Sequence, residues 1–129
     1  MALNCLVDTN VFLEVLLGQG NKERWKKFLQ DNAGLCGLSD FSLHSIGVIA
    51  FRGRRESAYH SFLQDALPDL ALLHLEKTQY GVLLEARQRF ELDFDDAYQF
   101  VLAKSRQLTL VTQDRHFDRV KNEVAVELL

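Results

Sequence analysis

The amino-acid sequence predicts an α/β protein: a three-layer sandwich in which a mainly parallel sheet of four to five strands is flanked by helices. Three observations carry this. Short apolar runs of strand length recur along the chain, separated by one or two amphipathic helices, and such spacing demands crossover connections. The composition, 47% hydrophobic and 26% charged over 129 residues, suits one domain spanning 1–129 with a buried core and argues against disorder. Two of the strands run straight into an aspartate, Asp8 and Asp114, and functional groups in parallel sheets gather outside the carboxyl ends of the strands.

Taken in order, Leu3 to Val7 forms the first buried strand and halts at Asp8-Thr9-Asn10. A helix over Val11 to Leu17 follows, capped by Asp8 or Thr9 and ended by Gly18 and Gly20. From Asn21 to Asp31, Trp25, Phe28 and Leu29 recur at helical spacing, with Lys22, Lys26 and Lys27 on the other side. Leu35 to Leu38 is a second strand, and Ser39-Asp40 starts a helix whose apolar face is Leu43, Ile46, Ile49 and Ala50. Phe51 to Arg55 reads as a basic turn. The helix from about Glu56 carries Tyr59, Phe62, Leu63 and Ala66 on one stripe, with Pro68 beyond its end. Leu70 to Leu75 is a strand, and Glu76 to Phe90 a helix with Tyr80, Leu83 and Leu84 facing in. Asp93, Asp95 and Asp96 open a helix with the apolar run Ala97 to Ala103, and strands at Leu108–Val111 and Val124–Leu128 complete the order.

Charge and cysteine content narrow the function classes. With 15 basic and 18 acidic side chains the net charge is -3, so no global electrostatic footprint of a nucleic-acid binder exists, and any such activity rests on local patches or metal ions. No run of about 18 apolar residues is present, and Asp8 precedes any apolar leader segment. A cytoplasmic protein without a membrane partner is expected. Cys5 and Cys36 lie in apolar, strand-like surroundings and are expected to be reduced core thiols.

The carboxylates hold the chemistry. Singly, Asp93, Asp95 and Asp96 can cap a helix or stabilise its first turn, and Asp8 and Asp114 can form strand-end turns. If Asp8, Asp96 and Asp114 converge, however, each pair about 4 Å apart repels by roughly 4 kcal/mol at an effective dielectric of 20. A bound cation offsets that cost. Hard oxygens without Cys or His ligands suit Mg²⁺ or Mn²⁺, and such ions serve hydrolysis of phosphodiesters.

The segments LVDTNVFLEVLL (Leu6 to Leu17), LSDFSLHSIGVI (Leu38 to Ile49) and LDFDDAYQFVLAKSRQLTLVTQDRHF (Leu92 to Phe117) resemble, in order and spacing, the PIN-domain family. That family includes the toxin ribonucleases of bacterial type II toxin–antitoxin pairs. The resemblance implies a parallel sheet, a divalent-metal site, RNA as substrate, an antitoxin protein as partner and a homodimer. It assigns catalysis and metal binding to Asp8, Asp96 and Asp114. Asn10 and Thr112 match the polar residues that hold those carboxylates, and Asp93 lies at the edge of the site. The family usually has a glutamate in the helix after the second strand; here Ser45 takes its place, beside His44. Serine can orient water but supplies no charge.

Arg115, His116 and Arg52 are candidate contacts to substrate phosphate, within a chain that lacks an aromatic-interleaved RNA platform. Three functions follow. The first is a Mg²⁺- or Mn²⁺-dependent endoribonuclease, the toxin of a toxin–antitoxin pair. The second is a catalytically weak PIN-like module that binds RNA or protein. The third is an aspartyl phosphotransferase, disfavoured because Asn10 stands where the haloacid type expects a second aspartate.

Overall fold

A computed structural model describes residues 2–18, 20 and 22–128. Its sheet has five strands in the order β3-β2-β1-β4-β5, every neighbouring pair parallel. The strands are β1 (Cys5–Val7), β2 (Cys36–Ser39), β3 (Ala71–Leu73), β4 (Thr109–Thr112) and β5 (Val126–Leu128). Helices α1 (Thr9–Leu17) and α2 (Lys22–Asp31) lie between β1 and β2, and α3 (Asp40–Arg52) and α4 (Glu56–Asp65) between β2 and β3. Helices α5 (Tyr80–Phe90) and α6 (Phe94–Arg106) join β3 to β4. The helix start expected at Asn21 lies outside the described residues.

The period-2 alternation of strand side chains splits the core into two layers. Leu6 and Leu110 face a cluster built from α5 and α6, including Leu83, Ala86, Val101 and Leu102. Val7, Leu38 and Val111 face the opposite cluster, with Val11, Phe12, Trp25, Ile46 and Phe62. The expected three-layer α/β sandwich is therefore present. Strand order reverses beside β1: the chain leaves β1 for β2 on one side and returns to β4 on the other. Such a switch point opens a crevice at the carboxyl ends of β1 and β4, where Asp8 directly follows β1 and Asp114 stands two residues past β4.

Three local expectations are corrected. Leu84 and Tyr80 are 67% and 46% exposed, and α5 buries Leu83 and Ala86 instead; the apolar stripe is wider than the contact it makes. Ile49 is also turned outward, and α3 continues through Phe51 and Arg52 rather than ending in a basic turn. Cys5 and Cys36 are not separate thiols: the structure joins them in a disulfide. They are direct partners in the β1–β2 ladder, with Cα atoms 4.9 Å apart, inside the usual disulfide range of about 4.4–6.8 Å. A sequence separation of 31 residues gave no sign of that adjacency.

Candidate metal centre

Asp8 follows β1 and N-caps α1. Its backbone N–H donates to the Val111 carbonyl (2.9 Å), extending the β1–β4 pairing by one residue and fixing the Cα beside β4. The side chain is buried, and both its oxygens have donors: Thr9 N–H to Oδ1 (2.8 Å) and the Thr112 hydroxyl to Oδ2 (2.8 Å). Thr112 also accepts from the Asp114 N–H (2.9 Å). One hydroxyl at the end of β4 thus ties two of the acids together. Gln113 braces the same corner, accepting from the Trp25 indole N–H (3.0 Å) and donating to the Asn10 carbonyl (3.4 Å).

Asp96 reaches the crevice from the first turn of α6, where the helix dipole favours negative charge. Burial nevertheless pushes its carboxyl up to about 6, helped by the neighbouring charges of Asp95 and Asp114 and opposed by His116. Burial likewise raises Asp8 to about 6, against the hydrogen bonds from Thr112 and Thr9, with Asp96 and Asp114 adding repulsion. The Asp8 carboxyl thus feels the charges of both Asp96 and Asp114. Asp114 Oδ1 accepts from the His116 N–H (2.9 Å), folding the 3-10 turn Arg115–Val120 back over the acids. His116 Nδ1 then lies 3.1 Å from Asp114 Oδ2 and 3.4 Å from Asp96 Oδ2. Ligand atoms of Asp96, Asp114 and His116 all fall within 4.8 Å of one another. Asp96 and Asp114, with His116 beside them, form a donor group that fits a divalent cation, while Asp8 stands outside that close group with both oxygens held by Thr9 and Thr112.

Other predicted site residues are placed differently. The Asn10 side-chain oxygen is buried without a hydrogen-bond partner, and its backbone carbonyl accepts from Gln113. Asp93 sits at the N-cap of α6 but makes no side-chain cap; it is exposed and meets Arg87 at 3.4 Å. Ser45 is half-buried on α3, one turn beyond Ser42 and so on the same helix face. His44 and Arg52 instead line an outer groove of about 680 Å³ with Asp40, Val48, Phe51 and Tyr59, none of which is among the three acids. Arg115 is exposed and faces Asp118 at 3.8 Å.

Sequence reasoning missed a buried polar network behind the acids. Ser42 shares a 2.7 Å hydrogen bond with Thr9, accepts from Gln99 Nε2 (2.7 Å) and accepts from the Ser39 hydroxyl (3.0 Å). Gln99 lies one turn along α6 from Asp96, inside the otherwise apolar run Ala97 to Ala103. A lone amide in a fully buried helix face was the available signal.

The fold and this edge together define a class: parallel α/β proteins with an acid cluster at the switch point, suited to a divalent cation. The sequence also matches the PIN domain model over residues 5–123, and the chain belongs to that family. Among solved structures it is similar to FitAcB from Neisseria gonorrhoeae, at 25% identity and TM-score 0.77, with 98% of this chain and 96% of that one covered. It is similar in fold to VapBC2 from Rickettsia felis bound to a promoter DNA fragment, at 15% identity and TM-score 0.79, covering 100% and 99%. A toxin–antitoxin complex from Klebsiella pneumoniae aligns at 20% identity and TM-score 0.72, covering 88% and 90%. No match was found among curated proteins. PIN domains are generally nucleases that use divalent metals, and among the described residues no helix is long and apolar enough to cross a membrane.

Proposed function

We propose that the protein is a metal-dependent endoribonuclease, the toxin of a toxin–antitoxin pair, acting in the cytoplasm as a homodimer. The observation that carries this is the close group of Asp96 and Asp114 with His116, and Asp8 at the end of β1 tied to Asp114 through Thr112, in a chain of the PIN family. Asp8, Asp96 and Asp114 would hold Mg²⁺ or Mn²⁺. When bound, such an ion offsets the carboxylate charge, activates water and stabilises the charge that builds on the phosphate.

The chain's own residues account for the rest. Thr112 keeps Asp8 ionised by donating to it and holds the Asp114 backbone in register. Burial of Asp8 keeps bulk water from its carboxylate, while Asp96 and Asp114, 14% and 30% exposed, remain accessible from the side where RNA would enter. Arg115 and Arg52 are exposed cations available to phosphates. Exposed Tyr80, Leu84, Leu72 and Phe94 leave apolar surface for a second copy or an antitoxin to cover. An antitoxin partner accords with the likeness to the Klebsiella pneumoniae toxin–antitoxin complex.

The test is Mn²⁺-dependent cleavage of single-stranded RNA by the purified protein. Loss of cleavage in Asp8→Asn and Asp96→Asn is expected; activity surviving both substitutions rules the assignment out. A second reading, a PIN domain that binds RNA or protein without cutting, draws support from the neutral Ser45 on the α3 edge. Calorimetry that finds RNA binding without Mn²⁺ binding at millimolar metal would favour it.

A further inference from the structure

His116 was expected to touch substrate phosphate. Its ring also reaches the carboxylates of the crevice. The Asp114 Oδ1 bond to the His116 N–H closes the turn after β4, and Nδ1 is carried to 3.1 Å from Asp114 Oδ2 and 3.4 Å from Asp96 Oδ2. Two cis ligands, each about 2.1 Å from one ion, lie about 3 Å apart. Without a metal the imidazole nitrogen sits at hydrogen-bond distance from both carboxylates, a spacing that neighbouring ligands of one ion also adopt. Ser45 on α3, where the family usually has a glutamate, offers no carboxylate donor.

We infer that His116 is itself a ligand of the metal centre, supplying the donor that the α3 edge lacks and biasing the site toward Mn²⁺ over Mg²⁺. The inference rests on the metal-dependent reading above. Its chemistry is that of the donor atom: Mg²⁺ strongly prefers oxygen, whereas imidazole nitrogen suits later divalent ions, with affinity rising from Mn²⁺ toward Zn²⁺ and Cu²⁺. The second acidic group, Asp93, Asp95 and Asp96, offers no nitrogen, and Asp93 is drawn off to Arg87. The His116 side chain is 60% exposed, so its replacement leaves the core untouched.

The experiment combines Mn²⁺ and Mg²⁺ titration calorimetry of the metal-free protein with pulsed electron paramagnetic resonance of the Mn²⁺-loaded form. Wild type, His116→Gln, His116→Ala and Asp96→Asn are compared. Wild type should show nitrogen hyperfine coupling that both His116 variants lose. The ratio of Mn²⁺ to Mg²⁺ affinity should fall about tenfold in His116→Gln, the scale on which supporting groups tune metal sites. Mn²⁺ that binds wild type through Asp96 but shows no nitrogen coupling overturns the role of His116 and leaves the metal site standing. Coupling that persists in His116→Gln overturns it equally. Absence of Mn²⁺ binding to wild type, or unchanged binding by Asp96→Asn, overturns the metal reading and this inference together.

Discussion

The two edges of the crevice solve one packing problem by opposite means. Along β1, β4 and α6 lie carboxylates: Asp96 and Asp114 come together, Asp8 is linked to Asp114 through Thr112, and Asp8 and Asp96 are pushed up to about 6 by burial before any other cause. On the buried face at the start of α3 the polar groups are neutral. Ser39 and Ser42 are fully buried and bonded to one another, to Thr9 and to Gln99. The first edge holds desolvated, mutually repelling charge that its own hydrogen bonds offset only in part and that a cation or protons would relieve; the second is almost self-satisfied, with one Gln99 oxygen left without a partner. Metal dependence should thus be a property of one edge, and stability without metal a property of the other.

The largest expected effect breaks the charged edge. Asp8→Asn or Asp96→Asn should remove Mn²⁺-dependent cleavage by about a hundredfold or more, of the order seen when a positioned electrostatic group is lost. The same edge predicts a pH dependence of stability. Asp96 has its folded pKa raised above the unfolded value, so the stability linked to it is present below about pH 4 and is lost as pH rises through about 6. In chelator at pH 7.5, Asp96→Asn should therefore melt above wild type, and the gap should close in acid. Because Asp96 is partly exposed, solvent screening limits the gain to about 1 kcal/mol, a few degrees in Tm. A variant that melts at or below wild type at pH 7.5 would remove the repulsion argument.

The neutral edge yields the next effect. Ser42→Ala removes the acceptor of the Gln99 amide and a partner of the Thr9 and Ser39 hydroxyls. It should cost about 1–3 kcal/mol in urea unfolding, the scale of stranded buried polar groups, while Mn²⁺ affinity stays near wild type. A marked fall in Mn²⁺ affinity with unchanged stability would merge the two edges into one site. Ser45→Glu sharpens the contrast from the other direction. One more carboxylate on the Ser42 face of α3 should raise divalent-ion affinity about tenfold and lower the melting temperature of the metal-free protein.

This asymmetry also explains what the sequence disclosed. Asp8 and Asp114 were legible because each follows a strand directly, and Asp96 because helix starts collect acids. Thr112 was legible through its place beside Asp114. The neutral network was not: Ser42 and Gln99 lie 57 residues apart, and their pairing exists only once α3 and α6 pack against α1. The Cys5–Cys36 bond was hidden for the same reason, since strand order, not spacing, makes those residues neighbours. His116 was visible as a residue near Asp114, but the direction of its ring depends on a hydrogen bond to its own backbone N–H that sequence does not announce.

The smallest effect concerns the rim. Asp93 and Asp96 stand three residues apart at the start of the same helix, yet only Asp96 is drawn into the crevice. Asp93 is 75% exposed, meets Arg87 at 3.4 Å and makes no helix cap. An exposed pair of that length contributes roughly 0–1 kcal/mol, so Asp93→Asn should leave unfolding within about 0.5 kcal/mol of wild type. Mn²⁺ affinity and the cleavage rate should move by less than about twofold, the change of RT ln 2 expected from a screened charge at the rim. A tenfold loss of Mn²⁺ affinity on this one substitution would draw Asp93 into the centre, and the boundary of the charged edge would have to be moved outward to include it.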